Sequence, residues 1–251
     1  MTAARPSSTH PLAPRRVTIV SDGLQLAALL FMPSVTPPAG ALLVCHGAGS
    51  TKENHAIMAE QARDSGLAAL VFDFRGHGES EGAMDAGGAH DVTDAARALL
   101  SESGAPWVAV RGSSMGAHWA LRAAAADRSL FRSLVALCPA DSASLLRALD
   151  WVREAQAIDD PDAHAFGRFD QQSLRPLLES SELTDVATGL PHVLLAHARD
   201  DESVPFASSR HLAAVLAEPK RFIALTRGGH RGPQRSPRVA RATIDWVLEN
   251  A

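Results

Sequence analysis

The feature that most constrains the fold is an alternation of short apolar runs with longer helix-compatible stretches. Six apolar runs of four or five residues follow residue 40, and helix-compatible sequence separates most of them. Continuous apolar runs are typical of strands that are buried on both faces of a parallel sheet, with helices as crossover connections. We therefore predict strands at 41–45, 68–72, 107–110, 134–137, 192–196 and 222–225.

Two further β-rich runs, 17–20 and 26–32, flank the turn sequence Ser21-Asp22-Gly23 and predict an opening hairpin. The chain is thus expected to form an α/β fold: a mostly parallel eight-stranded sheet with helices on both faces. The predicted helices lie at about 53–65, 89–103, 115–126, 207–217 and 237–249.

The segment 141–189 interrupts this pattern because it contains helix-compatible sequence, at 143–157 and 171–179, and no convincing strand. We predict a helical insertion that acts as a lid, with a pair of ordinary crossover helices as the alternative. Residues 1–16 are expected to be a flexible tail, and 17–140 with 190–251 the core. Apolar residues of the insertion would either form part of an acyl-binding site or attach the insertion to the core: Leu145, Leu146, Leu149, Trp151, Val152, Phe166 and Phe169.

Composition excludes several classes of function for this 251-residue chain. Its 24 Lys and Arg against 28 Asp and Glu give a net charge of −4. Because the sequence has no block of basic residues, it gives no indication of nucleic-acid binding. Two cysteines, Cys45 and Cys138, lie in apolar runs and are expected to be reduced, packed thiols. The longest apolar run, 26–32, is too short to span a membrane, and the first 16 residues lack the apolar region of a signal peptide. We expect a cytoplasmic protein; its oligomeric state stays open.

The strongest chemical signal is Gly112-Ser113-Ser114-Met115-Gly116, a G-x-S-x-G directly between a predicted strand and a predicted helix. A serine on so tight a turn is held in strained backbone, and small residues two positions away on either side leave its hydroxyl accessible. The N-terminal end of the following helix favours a developing oxyanion. Ser114 is therefore the candidate nucleophile.

A serine hydroxyl needs a base within hydrogen-bond reach, and that base needs an acid to orient it. Carboxylates follow the strand 192–196, at Asp200 and Asp201, and His230 lies in a glycine-containing loop after the strand 222–225. Because the carboxyl ends of parallel strands share one edge of the sheet, these side chains are expected to meet Ser114 there. Their order along the chain, Ser then Asp then His, is that of one hydrolase fold among the serine-triad folds.

With these features the chain resembles the α/β-hydrolase superfamily from about Val17 to its C-terminus, and looks nearest to dienelactone-hydrolase-like or lysophospholipase-like members. Besides the G-x-S-x-G at Gly112–Gly116, which is similar to the family's nucleophile elbow, it has His46-Gly47-Ala48-Gly49, similar to the HGxG loop, and a segment from Asp73 to Ser80 similar to DxRGxGxS. Two departures stand out: Ala117 replaces a second glycine that many relatives have after the elbow, and the chain has no tyrosine to complete an oxyanion hole.

The resemblance implies Ser114 as nucleophile, His230 as general base and then acid, and Asp201 as the orienting carboxylate, with the backbone N–H groups of Met115 and Ala48 as the oxyanion hole. Asp200 is the competing acid, and the D-x-x-V-P spacing from Asp201 to Pro205 favours Asp201. The expected activity is cleavage of a small-molecule carboxylic ester or thioester, with no cofactor and no metal. An amidase or peptidase on the same triad, or a binding protein without turnover, are the alternatives.

Three other histidines near these motifs are expected to be structural. His46 and His77 lie in the family loops, where an imidazole more plausibly braces backbone, and His118 is carried on the helix that follows the elbow. The sequence contains no H-x-E, H-E-x-x-H or paired Cys/His spacing that would indicate a zinc site.

Overall fold

The structure, a computed structural model, describes residues 13–158, 160 and 166–251. Its centre is an eight-stranded sheet in the order β1-β2-β4-β3-β5-β6-β7-β8. β2 is antiparallel to both neighbours, and every other pairing is parallel. The strands are β1 (Arg15–Ser21), β2 (Leu24–Phe31), β3 (Ala41–Cys45), β4 (Ala68–Phe72), β5 (Val108–Ser113), β6 (Phe131–Leu137), β7 (Val193–Ala198) and β8 (Lys220–Leu225). The predicted fold class and the opening hairpin are confirmed.

Helices connect the strands and cover both faces of the sheet. The predicted helices 115–126 and 237–249 have the expected bounds, whereas 53–65 divides into a 3₁₀ turn, Lys52–His55, and a regular helix. The α-helices are α1 (Ala56–Asp64), α2 (Gly88–Ser103), α3 (Met115–Ala126), α4 (Ser142–Ala157), α5 (Gln171–Ser180), α6 (Leu183–Ala187), α7 (Phe206–Val215), α8 (Gly232–Arg235) and α9 (Pro237–Glu249).

The core consists of two apolar layers, one on each face of the sheet. In β3, Leu43 and Cys45 pack into the layer that contains α2 and α3, while Leu42 and Val44 pack into the layer that contains α1 and α9. Every residue of β3 and β4 is buried. Burial on both faces is the reason why these strands appear in the sequence as continuous apolar runs.

The N-terminal boundary differs from the prediction. Strand β1 begins at Arg15, so Arg15 and Arg16 belong to the sheet and not to a tail that was expected to end at residue 16. Their backbones pair with Leu30 and Leu29, and their side chains reach Glu102 and Glu79 at 2.5 Å. Charged residues on an exposed edge strand lack the apolar signal from which strands are predicted. Residues 1–12 of the predicted tail lie outside the described residues.

The segment 141–189 contains three helices in its described part, α4, α5 and α6. Residues 166–170 attach it to the loops at the sheet edge: the carbonyl of Phe166 accepts the N–H of Gly49 at 2.9 Å, and Arg168 exchanges backbone hydrogen bonds with Gly76 and Met84. Leu145, Leu149 and Val152 are buried. The apolar space between α4 and the core is only about 10 Å³, so Leu145 and Leu149 pack closely against the core in this structure. That residues of the segment form part of an acyl-binding site stays a prediction. That the segment acts as a lid stays a prediction.

No helix in the described ranges combines the length and the apolar character needed to cross a membrane.

Candidate active site

Ser114 lies at the sharp turn between β5, which ends at Ser113, and α3, which begins at Met115. Its backbone has φ 53° and ψ −117°, a conformation that costs a non-glycine residue of order 1–3 kcal/mol. The turn is fixed because the N–H of Ser114 donates to the carbonyl of Leu137 at 2.8 Å. The residue is half-buried, with its side chain at the carboxyl edge of the sheet.

The glycines around Ser114 are required by close backbone contacts. A Cβ atom on Gly116 would lie 2.3 Å from the carbonyl oxygen of His46, and one on Gly112 would lie 2.5 Å from the amide nitrogen of Ala117. Real Cβ atoms do not approach backbone this closely. The G-x-S-x-G spacing therefore lets α3 start in direct contact with the end of β3, which brings the His46–Gly49 loop to Ser114.

The structure brings His230 and Asp201 together. Asp201 follows β7 and His230 lies in the loop after β8, and the imidazole Nδ1 donates to Asp201 Oδ2 at 2.8 Å. The Asp201 side chain is fully buried, whereas 26% of the His230 side chain is exposed. The carboxylate thus holds the imidazole through Nδ1, while part of the ring remains accessible.

Asp201 is stabilised as an anion by four donors. Oδ1 accepts the backbone N–H groups of Ser203 and Val204 at 2.9 and 3.0 Å, and Oδ2 accepts from His197 Nε2 at 3.0 Å besides His230. Burial alone would raise the pKa of Asp201, but the hydrogen bonds from His197 and His230 outweigh it and lower the pKa well below its usual range. The carboxylate therefore stays charged at neutral pH.

Asp200, the competing acid, has a different position. Its exposed carboxylate accepts the N–H groups of Gly228 and Gly229 at 3.1 and 2.9 Å. These two bonds fix the glycine loop that carries His230. Asp201 is thus the carboxylate that contacts His230, and Asp200 holds the backbone of the same loop.

His197 is a part of the site that the sequence analysis missed. It is fully buried at the end of β7, where Nε2 donates to Asp201 Oδ2 and also approaches the carbonyl of Val204 at 3.1 Å. On its other side, Ser209 Oγ donates to Nδ1 at 2.7 Å. A histidine at the end of an apolar run, four residues before the candidate acid, was the available signal.

Ser114 and His230 line one cavity of about 540 Å³. Within the described part of the chain, no hydrogen bond joins the two side chains directly. Catalytic hydrogen bonds between nucleophile and base are often long in unliganded enzymes and shorten when substrate binds. The geometry thus provides a serine and an oriented imidazole on the walls of a common space.

The two predicted oxyanion donors flank Ser114. Met115 is the first residue of α3, where a helix leaves N–H groups without an intrahelical acceptor. Gly47 lies so near that a Cβ on it would be 3.2 Å from Ser114 Cβ, and Ala48 also lines the cavity. The N–H of the next residue, Gly49, is occupied by the carbonyl of Phe166, and the role of Ala48 as an oxyanion donor stays a prediction.

The three other histidines make structural contacts. His46 accepts the N–H of Phe74 at 3.0 Å, His77 contacts the carbonyl of Arg75 at 3.1 Å, and His118 contacts the carbonyl of Ala140 at 2.9 Å. Burial lowers the pKa of His46 to about 4 and those of His77 and His118 to about 3. All three are neutral at physiological pH.

Potential metal-ligating atoms approach one another at one place. Among the described residues, Cys138, Asp201 and His230 have such atoms within 4.8 Å. Asp201 and His230 are already paired with each other, and Cys138 Sγ contacts the His230 carbonyl at 3.4 Å. Burial, followed by the charge of Asp201, raises the pKa of Cys138. A metal here would have to displace the Asp201–His230 hydrogen bond.

Comparisons with known proteins agree with this architecture. The family model for the alpha/beta hydrolase fold matches residues 40–182. The uncharacterized protein Rv2307c of Mycobacterium tuberculosis is 27% identical over 236 residues, which cover 91% of this chain and 77% of the relative.

Solved structures share the fold at low identity. Est1E from Butyrivibrio proteoclasticus, solved with ferulic acid bound, is 20% identical with a TM-score of 0.73, covering 93% of this chain and 98% of Est1E. Alpha/beta hydrolase domain-containing protein 10 from mouse is 19% identical with a TM-score of 0.68, covering 94% of this chain and 97% of the mouse chain.

Proposed function

Because the chain belongs to the alpha/beta hydrolase fold family, which supports its assignment as a hydrolase, we propose that it is a serine hydrolase that cleaves a carboxylic ester or thioester through an acyl-enzyme on Ser114. The observation that carries the proposal is the hydrogen bond of 2.8 Å between the buried Asp201 and His230, a residue that lines the same cavity as Ser114. A buried carboxylate that fixes an imidazole tautomer is what a serine nucleophile needs in order to lose its proton.

In the first half of the reaction, Ser114 Oγ attacks the carbonyl carbon of the ester while its proton passes to His230 Nε2. Asp201 stabilises the resulting imidazolium, and the N–H groups of Ala48 and Met115 stabilise the oxyanion. The bond between the carbonyl carbon and the leaving group breaks, and His230 delivers the proton to the departing alcohol or thiol. The acyl group remains on Ser114.

In the second half, water replaces the alcohol. His230 removes a proton from water, the hydroxide attacks the acyl carbon, and the bond to Ser114 Oγ breaks. The proton returns from His230 to Ser114, and the carboxylic acid leaves. Each step uses residues of this chain and water.

The test is hydrolysis of 4-nitrophenyl acetate and butyrate by the purified protein, together with labelling by a fluorophosphonate. We expect release of 4-nitrophenol and stoichiometric phosphonylation of Ser114, identified by peptide mass spectrometry. A panel of dipeptide amides measured in parallel should show little cleavage. Folded protein that neither turns over esters nor labels at Ser114 would contradict the proposal, and efficient amide cleavage would redirect it to a peptidase.

His197 is expected to act as a positioning residue through Asp201. Replacing His197 by Leu removes the Nε2 donor that lies 3.0 Å from Asp201 Oδ2, so the carboxylate loses one of the contacts that fix its position and orients His230 less well. We expect kcat for 4-nitrophenyl butyrate to fall about tenfold with KM little changed. Steady-state kinetics of the variant measure this.

A matched variant separates positioning from packing. His197→Gln keeps an N–H donor in a side chain of similar reach and should recover most of kcat. If His197→Leu lowers the melting temperature but leaves kcat as it is, the residue has only a packing role.

A further inference from the structure

The cavity beside Ser114 contains a buried arginine that the reaction above does not use. Arg111 lies on β5, three residues before Ser114, and pairs across the sheet with Val44 and Val135 on the face covered by α1 and α9. Three residues of extended strand span about 10 Å. Its side chain is only 2% exposed, and it lines the same cavity as Ser114 and His230.

This guanidinium has no counterion in the described part of the chain. Its Nε and Nη1 atoms are buried and without a hydrogen-bond partner, and no carboxylate of the described residues forms an ion pair with the group. Two neighbours on the cavity wall are in the same state: His55 Nδ1 and Ser113 Oγ are buried and unpartnered, and their residues are 3% and 6% exposed. Buried polar groups in native proteins almost always have partners.

The other arginines on the cavity wall add positive charge. Arg231 and Arg235 line its outer part, and none of its lining residues is acidic. The chain as a whole is acidic, with a net charge of −4, so the concentration of arginines here is specific to the cavity. Burial lowers the pKa of Arg111 to about 10, which still leaves the group charged at neutral pH.

Burying a guanidinium without a partner is costly, and replacing such a group by an apolar residue would stabilise a protein that did not use it. The cost is recovered when a ligand supplies the missing acceptors. A planar guanidinium presents two parallel N–H groups that match a carboxylate, and the Ser113 hydroxyl and His55 ring can donate to the same anion.

We propose that Arg111, with Ser113 and His55, binds a carboxylate of the substrate, so that the natural substrate is an ester or thioester of a dicarboxylic acid. This inference rests on the proposed function, because the anion would occupy the cavity that Ser114 and His230 also line. One guanidinium balances the single charge of a carboxylate, whereas a phosphate dianion would require a second buried cation.

Binding of the carboxylate is tested in a variant that cannot turn over substrate. Isothermal titration of the Ser114→Ala variant with succinate, glutarate and adipate should show binding of at least one of them. Adding Arg111→Met should weaken that binding at least roughly tenfold, which corresponds to about 1.4 kcal/mol. Arg97→Met, which removes an exposed arginine elsewhere, is the charge-matched control and should leave binding unchanged.

Kinetics test the same site during turnover. The wild-type protein should hydrolyse the mono-4-nitrophenyl ester of the bound dicarboxylate with a kcat/KM at least roughly tenfold above that of its methyl-capped neutral counterpart. Arg111→Met should abolish this preference, and Arg111→Lys, which keeps the charge without the paired donors, should retain part of it.

The outcomes separate the two proposals. Dicarboxylate binding by Ser114→Ala without any ester turnover in the wild type supports the anion site and contradicts the hydrolase mechanism. Turnover of neutral esters with no dicarboxylate binding and no preference for the anionic ester overturns the assignment of Arg111. Inorganic phosphate that binds more tightly than every dicarboxylate overturns the carboxylate specificity.

Discussion

Replacement of Ser114 by alanine should lower kcat for 4-nitrophenyl butyrate by roughly four to six orders of magnitude. The reason is that the acyl-enzyme cannot form without the hydroxyl, and the residual rate then comes from the oxyanion donors and substrate binding alone. Stopped assays with high enzyme concentration measure the residual rate. Fluorophosphonate labelling should disappear in the same variant.

Combining triad substitutions tests whether the three residues act as one unit. His230→Ala should cause a loss comparable to that of Ser114→Ala, and the double variant should be no slower than either single variant. Additive losses would indicate that Ser114 and His230 work in separate steps. Ser129→Ala, an exposed serine distant in the sequence from the elbow, is the matched control and should keep wild-type kinetics.

The two neighbouring aspartates give the sharpest comparison within this prediction. Asp201→Asn removes the charge that orients His230 and should lower kcat by roughly 10³ to 10⁴. Asp200→Asn weakens two backbone hydrogen bonds of an exposed loop and should cost less than about tenfold. The reverse order would make Asp200 the triad acid.

Features set by local sequence were predictable. The buried strands were predictable as continuous apolar runs because both of their faces are covered. The helices α3 and α9 have the predicted bounds because each begins at a strong signal: α3 at the G-x-S-x-G turn and α9 at Ser236-Pro237. The positions of Ser114, Asp201 and His230 at one sheet edge follow from the parallel topology.

Features set by three-dimensional neighbours were not predictable. Nothing next to Arg111 in the sequence shows that its guanidinium lacks a counterion, because a counterion could come from any part of the chain. His197 directly follows the predicted strand 192–196, and nothing in the sequence shows that the fold places its ring against Asp201. Arg15 and Arg16 looked like tail because their strand is exposed at the sheet edge.

The segment from Asp73 to Ser80, which is similar to DxRGxGxS, contains a charged residue, Arg75, with a structural role. Arg75 is 2% exposed and donates to Asp91 from Nε at 2.9 Å and from Nη2 at 2.7 Å. Asp91 is fully buried in the first turn of α2, where burial raises its pKa and Arg75 opposes that rise. Arg75 also reaches Asp85 and Asp22 at 2.7 Å, so one guanidinium joins the β4 loop, α2 and the hairpin.

Arg75→Met should therefore lower the free energy of unfolding by about 3–5 kcal/mol, because it leaves the Asp91 carboxylate buried without its partner. For a chain of this length, the melting temperature should fall by roughly 6–20 °C, measured by circular dichroism. Arg97→Met, which removes only long contacts on the surface, should change the free energy by less than about 1 kcal/mol.

The double variant Arg75→Met/Asp91→Leu distinguishes an unpaired charge from lost packing. Removing both charged groups eliminates the desolvated carboxylate, so the double variant should be more stable than Arg75→Met alone by at least about 2 kcal/mol. It should also fold if the single variant does not. A double variant as unstable as Arg75→Met would mean that the guanidinium stabilises this corner through its contacts with Asp22, Asp85 and the backbone, and that the charge of Asp91 contributes little.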